Sequence, residues 1–156
     1  MSVPAIPAGY HSLTPYLVVA GANEAISFYQ TAFGATLKLK MDTPDGKVAH
    51  AELLIGNSHL MLSDGCDDIN FKSPHELGGT PVSLMCYVDN VDTVFATALA
   101  AGAKELRPVV DQFYGDRSGT LQDPFGHLWT ISTHMEELSE QELQQRLAAM
   151  MGEGQQ

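Results

Sequence analysis

The sequence predicts an α+β protein of two tandem β-α-β-β-β modules with mixed sheets, followed by a C-terminal helix. A strand-like run, an amphipathic helix and a closing Gly-Ala pair occur twice, and the glycines Gly34 and Gly102 lie 68 residues apart. After each helix come three strand-like segments separated by turn residues. We expect a single domain over residues 1–156, with module one at about 12–64, a linker at about 65–79, module two at about 80–134 and the helix at about 139–151.

The first module is defined by apolar periodicity and turn chemistry. An apolar run leads into a helix that begins near Asn23 and ends at Gly34, where a glycine favours helix termination. Asp-Gly and Gly-Asn pairs then separate the strand signals, because both pairs adopt positive φ at low cost. The predicted strands are 15–19, 37–41, 48–55 and 59–63.

The second module repeats the pattern. An apolar strand precedes a helix with the stripe Val91, Phe95 and Leu99, and the helix ends at Gly102. The predicted strands are 82–88, 105–110, 115–122 and 127–133. Downstream, Ser139 and Glu142 have capping-box spacing, which indicates a further short helix. Its apolar stripe requires a packing partner, either its own sheet or a second subunit.

Composition restricts the partners. The 156 residues are 44% hydrophobic with a formal net charge of −11, so the chain can bury a core and repels nucleic acid and anionic membranes. No run suits a transmembrane helix, and residues 1–7 do not form a signal-peptide pattern. The cysteines Cys66 and Cys86 are expected to be free thiols, so we expect a cytoplasmic protein.

Two motifs carry a family resemblance. The helix containing Phe28-Tyr29, together with Asp123-Pro124-Phe125-Gly126-His127 before the last strand, resembles the vicinal oxygen chelate superfamily of glyoxalases, bleomycin-resistance proteins and extradiol dioxygenases. The run Gly115–Gly119 and the helix after Leu138 are similar to its PhnB-like branch. This resemblance implies that the two modules form a curled, mixed-sheet cup lined by alternate residues of eight strands.

The resemblance also implies where metal ligands stand in metal-using relatives, one on each of four strands. The corresponding positions here are Thr14, Ser83, Thr130 and either Leu60 or Leu62. Hydroxyl and aliphatic side chains do not form a donor set for zinc or nickel. We therefore expect no metal at this position and predict no cofactor, while a displaced divalent metal stays an alternative.

Other polar residues remain candidates for lining the cup. His50 and Glu52 lie two apart on a strand and share a face, where they form either a base with its partner, two ligands of a displaced metal site, or a solvated pair. Arg117 either clamps an anion at the cup mouth or pairs with Asp116 or another acid. The candidate lining is Thr14, His50, Glu52, Ser83, Arg117 and Thr130; the catalytic residues are unknown.

Three functions are compatible with these observations. The first is metal-independent binding of a small organic molecule, as in the drug-binding relatives. The second is a lyase, isomerase or dioxygenase-type enzyme with a displaced site at His50, Glu52 and Arg117. The third is a non-catalytic interaction or scaffold protein. We expect a homodimer, because the final helix carries an apolar stripe and relatives of this fold pair modules across subunits.

Overall fold

The computed structural model describes residues 2–153 and begins with one β-α-β-β-β unit. Its first sheet has the strand order β1-β4-β3-β2, with β1 parallel to β4 and the other pairs antiparallel. The elements of this unit are β1 Tyr16–Val19, α1 Ala22–Phe33, β2 Thr36–Asp42, β3 Val48–Ile55 and β4 Ser58–Asp64.

The segment between the units, predicted as a linker over residues 65–79, contains short helical turns. A 3-10 turn spans Asp67–Ile69, and the four-residue helix α2 spans Pro74–Leu77. The side chain of Ser73 accepts a hydrogen bond from the backbone of Glu76 and starts α2 as a capping box.

The second unit repeats the topology of the first, with the strand order β5-β8-β7-β6 and β5 parallel to β8. The predicted α+β class with two equivalent modules is thereby confirmed. Its elements are β5 Ser83–Tyr87, α3 Val91–Ala100, β6 Lys104–Asp111, β7 Asp116–Gln122 and β8 Leu128–His134.

Each module attaches its helix to the end of its fourth strand by side-chain capping. At the end of β4, Asp64 Oδ1 accepts the amides of Gly21 and Ala22 at 3.0 and 2.9 Å, and Oδ2 accepts the amide of Val48 at 2.8 Å. At the matching place in β8, the hydroxyl of Thr133 accepts the amide of Val91 at 3.0 Å. The bonds from Gly21, Ala22 and Val91 satisfy amides that the starts of the helices leave unpaired, and the bond from Val48 fixes the start of β3.

The two modules meet through their helix-bearing sides. Helix α1 packs on the first sheet and α3 on the second, and the two helices contact each other. From α1, Tyr29 and Phe33 contact the buried Trp129 of β8, with ring centroids 5.5 and 4.6 Å apart. Each sheet therefore buries one face in the core and leaves the other open, and the sheets are not closed, in line with the expected curled cup.

A buried carboxylate joins the modules at this core. Asp123 Oδ2 accepts the hydroxyl of Tyr29 at 2.5 Å and the indole N–H of Trp129 at 2.9 Å. Its Oδ1 accepts the amides of Phe125 and His127, both at 2.9 Å. The Asp-Pro-Phe-Gly turn is thus fixed by the same side chain that links α1 to β8.

The final helix, α4 (Glu140–Glu153), lies at the outside of the second module. Ser139 caps it as predicted, accepting the amide of Glu142 at 3.2 Å. Arg146 attaches it by donating to the carbonyl of Phe113 at 3.1 Å, while Leu147 stays half-buried. Among residues 2–153, none of the helices has the length and apolar character needed to cross a membrane.

Candidate functional site

His50 and Glu52 lie on the open face of the first sheet. Strand β3 alternates: Ala51 and Leu53 are fully buried toward α1, while His50 and Glu52 are half-buried on the other side. The two-residue spacing recognised in the sequence therefore brings these two side chains together, with His50 Nε2 3.0 Å from Glu52 Oε2.

Two tyrosines extend this pair into a chain of four side chains. The hydroxyl of Tyr16, from β1, lies 2.9 Å from His50 Nδ1. The hydroxyl of Tyr10, from the segment before β1, donates to Glu52 Oε1. Because the carboxylate only accepts, Nε2 of His50 carries a proton toward Glu52, and in the neutral imidazole Nδ1 accepts from Tyr16. Such a chain can hold or move a proton at His50.

Apolar side chains surround the polar chain. In the ladders beside β3, Leu39 and Met61 stand opposite Glu52, and Met41 stands opposite His50. Leu39 and Met41 are 43% and 49% exposed, which is high for such side chains. A few convergent polar groups within an apolar surface are the usual composition of a site for a small organic molecule.

The open face of the second sheet carries a second polar cluster, which the sequence analysis missed. The carboxylate of Asp116, on β7, is only 5% exposed. It accepts the hydroxyl of Tyr87 at 2.8 Å and that of Ser132 at 3.2 Å, and its Oδ1 lies 2.8 Å from His134 Nδ1. The sequence pointed to the neighbouring Arg117 as the candidate on this strand, because the chain has only eight lysine and arginine residues. The alternation of polar residues along β7 was the available signal for Asp116.

Hydrogen bonding sets the protonation of this cluster. Burial acts to raise the pKa of Asp116, but the bonds from His134, Tyr87 and Ser132 together lower it. The bond to Asp116, and then that to Glu137 on the other ring nitrogen at 2.8 Å, raises the pKa of His134. The bond to Asp116 likewise raises the pKa of Tyr87. The cluster is therefore an ionised buried carboxylate beside a histidine that favours the protonated state.

The remaining candidates fall at separate places. Thr130 lies on the open face of the second sheet, with its hydroxyl 3.1 Å from that of Thr120. Ser83 is the exposed first residue of β5. Thr14 precedes β1 and lines a cavity of about 710 Å³ between the N-terminal segment, the β3–β4 turn and β5. These three residues share no direct hydrogen bond with the His50–Glu52 pair.

Arg117 points to the helix-bearing side of the second sheet. Its guanidinium donates to both carboxylate oxygens of Asp92, on α3, at 3.0 and 2.9 Å, and to Asp111 at 3.1 Å. These two acids raise its pKa further. Of the two interpretations of Arg117, the structure places it in an ion pair with acids other than Asp116.

The residues at the family's metal positions do not fit a metal ion. Thr14, Ser83 and Thr130 supply only neutral hydroxyls, and Leu60 and Leu62 are buried on the helix-facing side of β4. The choice of Leu60 or Leu62 for the fourth metal position is therefore wrong, because both side chains point toward the helix. His59 and Met61 occupy the open face of that strand. Within residues 2–153 no group of three or more His, Cys, Asp or Glu side chains is arranged to hold a metal.

Comparison with known proteins identifies the class. The family model of the Glyoxalase/Bleomycin resistance protein/Dioxygenase superfamily matches residues 10–131. This chain therefore belongs to that superfamily, and the resemblance inferred from its motifs is confirmed.

Individual proteins are similar to this chain over most of its length. An uncharacterized protein of Mycobacterium tuberculosis is 40% identical over 146 residues, which cover 92% of this chain and 84% of the relative. The crystal structure of PA1353 from Pseudomonas aeruginosa is similar with a TM-score of 0.66 and 26% identity, covering 81% of this chain and 99% of that one. A PhnB protein from Bacillus cereus shares the fold, with a TM-score of 0.62, 22% identity, and coverage of 79% and 99%.

Proposed function

We propose that this protein binds a small organic molecule on the open face of its first sheet without the usual metal site of the superfamily. The observation that carries the proposal is the Tyr16–His50–Glu52 chain, set among exposed aliphatic side chains. The strands β1, β3 and β4 contain no lysine or arginine. Strand β2 carries Lys38 and Lys40, of which Lys40 is aligned with the helix-facing Ala51 and pairs with Asp42 at 3.4 Å. Because Glu52 is the carboxylate on this face, the surface favours neutral or cationic ligands over anions.

A second copy of the chain would complete the cup. Strands β1 and β5 are both at sheet edges, so each has one side without a partner strand in the described chain. Strand β5 also presents Met85 and Tyr87, which are 51% and 60% exposed. Within one chain the two open faces lie on opposite sides of the helices, whereas pairing β1 with β5 of another copy would set one face beside the other. This supports a homodimer as the working unit.

The free thiols support a reducing compartment. Cys66 is exposed and Cys86 is half-buried, and both are free. An exposed free thiol is typical of a cytoplasmic protein. We therefore include a cytoplasmic location in the proposal.

The test of binding is a screen of small aromatic and aliphatic compounds by ligand-observed NMR, followed by affinity measurements. Glu52→Gln keeps the shape of the side chain but removes its charge, and it should weaken binding of the hits about tenfold or more. Glu105→Gln is the matched control, because Glu105 is an exposed strand residue aligned with the helix-facing Leu121. Equal losses in both variants, or no loss in either, would contradict a site at Glu52.

The enzymatic alternative keeps one specific observation in its favour. Tyr16, His50 and Glu52 form a connected donor–acceptor chain of the kind that activates a general base. Arg117 is paired with Asp92 and Asp111, so this alternative rests on His50 and Glu52. Turnover of a bound compound that is lost in His50→Gln, with binding retained, would favour the enzyme over the binding protein.

A further inference from the structure

The segment before β1 places one tyrosine directly on the site. Residues 2–9 and 11–13 are exposed, and Tyr10 between them is half-buried. Its ring stacks on His59, with centroids 3.9 Å apart and an interplanar angle of 20°, while its hydroxyl donates to Glu52. Tyr10 therefore makes with this face the two contacts that a free phenol would make: ring stacking and a charge-assisted hydrogen bond.

A turn before β1 holds Tyr10 in this position. The amide of Tyr10 closes a turn by donating to the carbonyl of Pro7 at 3.0 Å. Gly9 adopts a left-handed φ of +83°, which residues with a Cβ rarely adopt. A Cβ at Gly9 would also contact His59 at 3.6 Å. The turn thus fits closely over the histidine.

The contact leaves one polar atom unsatisfied. His59 Nδ1 is buried and has no hydrogen-bond partner among the described residues. An unpaired buried polar atom carries a free-energy cost, so the arrangement with Tyr10 stacked on His59 is less stable than one in which this atom is paired. The backbone around Tyr10 is not bonded to the sheet: the amide of Tyr10 donates within its own turn, and the first backbone bond between the segment and the sheet is donated by Met61 N to Pro15 O at 3.0 Å. The segment is therefore held at this point by the side chain of Tyr10.

We propose that Tyr10 is a displaceable internal ligand and that the Glu52–His59 site takes hydroxylated aromatic molecules. The proposal rests on the function proposed above and names the ligand class of the same site. A phenol competes with Tyr10 for His59 and Glu52, so the apparent affinity depends on the fraction of molecules in which Tyr10 has moved away.

The probe is p-cresol, the tyrosine side chain without its backbone, measured by ligand-observed NMR and calorimetry. Tyr10→Ala should bind p-cresol about tenfold more tightly than the unmodified protein, as expected when the site is open in about a tenth of molecules. Toluene, which lacks the hydroxyl, should bind Tyr10→Ala markedly more weakly. Adding Glu52→Gln to Tyr10→Ala should reduce the preference for p-cresol over toluene, because the amide oxygen still accepts the phenol hydroxyl but without the charge.

Two further variants keep the proposal testable if Tyr10→Ala has a folding defect. Tyr10→Phe keeps the ring but loses the hydroxyl, and Gly9→Ala keeps Tyr10 but strains its turn. Both should bind p-cresol with intermediate affinity. Val3→Ala changes an 85% exposed residue of the same segment and should behave as the unmodified protein.

The outcomes separate this inference from the proposed function. If Tyr10→Ala and Tyr10→Phe bind p-cresol no better than the unmodified protein, or if toluene binds as well as p-cresol, the inference is wrong. The binding function would then still stand if other compounds bind in a Glu52-dependent manner. If no compound depends on Glu52 in any variant, the proposed function itself fails.

Discussion

Replacing Asp123 by asparagine should destabilise the whole protein, because this side chain joins the two modules. The carboxylate accepts four hydrogen bonds in the core, from Tyr29, Trp129 and two turn amides. Asparagine keeps one oxygen for the amides but presents an NH₂ group to the other two donors. The indole N–H then loses its acceptor, and the tyrosine hydroxyl must reverse from donor to acceptor.

The expected cost follows from the bonds that are lost. An unsatisfied buried donor costs about 1–3 kcal/mol, and a hydrogen bond to a charged group contributes about 1.5–3 kcal/mol. The unsatisfied donor and the lost charged hydrogen bond are partly the same effect, so their costs do not add in full. We expect Asp123→Asn to lower the free energy of unfolding by about 3–4 kcal/mol. For a domain of this size that corresponds to a fall in Tm of roughly 10 °C.

The assay is urea unfolding followed by Trp129 fluorescence and by circular dichroism, which should report one coincident transition. Tyr29→Phe removes one of the four donors, so the double variant Tyr29→Phe/Asp123→Asn should cost less than the sum of the single changes. Asp68→Asn, at an exposed acid of the linker turn, is the control and should change stability by less than about 0.5 kcal/mol. A loss below about 1 kcal/mol in Asp123→Asn would refute the role of this carboxylate.

Four other outcomes are expected. Asp64→Ala removes the acceptor of two backbone amides at the start of α1 and of one at the start of β3, and it should cost about 1–2 kcal/mol in urea unfolding; an unchanged midpoint would contradict this. Burial, and then Asp123, raises the pKa of Tyr29 above its ordinary value of 10.0. The folded protein therefore holds this proton more tightly than the unfolded chain, and its stability falls as pH rises above about 10. Tyr29→Phe should show a smaller loss of stability at alkaline pH. Asp116, and then Glu137, raises the pKa of His134 above 6.5, so its stabilising contribution is full below that pH and is lost as pH rises through the raised value. Melting curves of His134→Gln should lack this dependence. Chelator should leave Tm unchanged, and stoichiometric zinc or nickel lost together with stability would contradict it.

The fold was predictable because its signals are local and occur twice. Gly34 ends α1 with a φ of +67°, and the turn at Gly46 has a φ of +87°, so both glycines stand where the sequence placed a helix end and a hairpin. The two-residue spacing of His50 and Glu52 likewise places both side chains on the same face of their strand. This follows from the alternation of side chains alone, once the segment is recognised as a strand.

The parts of the site that were missed depend on contacts distant in sequence. Tyr10 reaches Glu52 across 42 positions, and Tyr87 reaches Asp116 across 29. The face of β4 was misassigned because Leu60, Met61 and Leu62 are all apolar, so alternation does not identify the side that faces the helix. Such a run fits either register, and a one-residue shift exchanges the two faces.

The two open-face clusters occupy corresponding strands of the two modules. Glu52 lies on β3 and Asp116 on β7, each the third strand of its unit. Each carboxylate is already bound by hydrogen-bond donors on its own face: Glu52 by His50 and Tyr10, and Asp116 by Tyr87, Ser132 and His134. A metal ion at either carboxylate would have to displace those donors and remove the proton held by a histidine. This supports the proposal of a metal-independent binding site, since these polar groups can exchange their hydrogen bonds with those of a ligand.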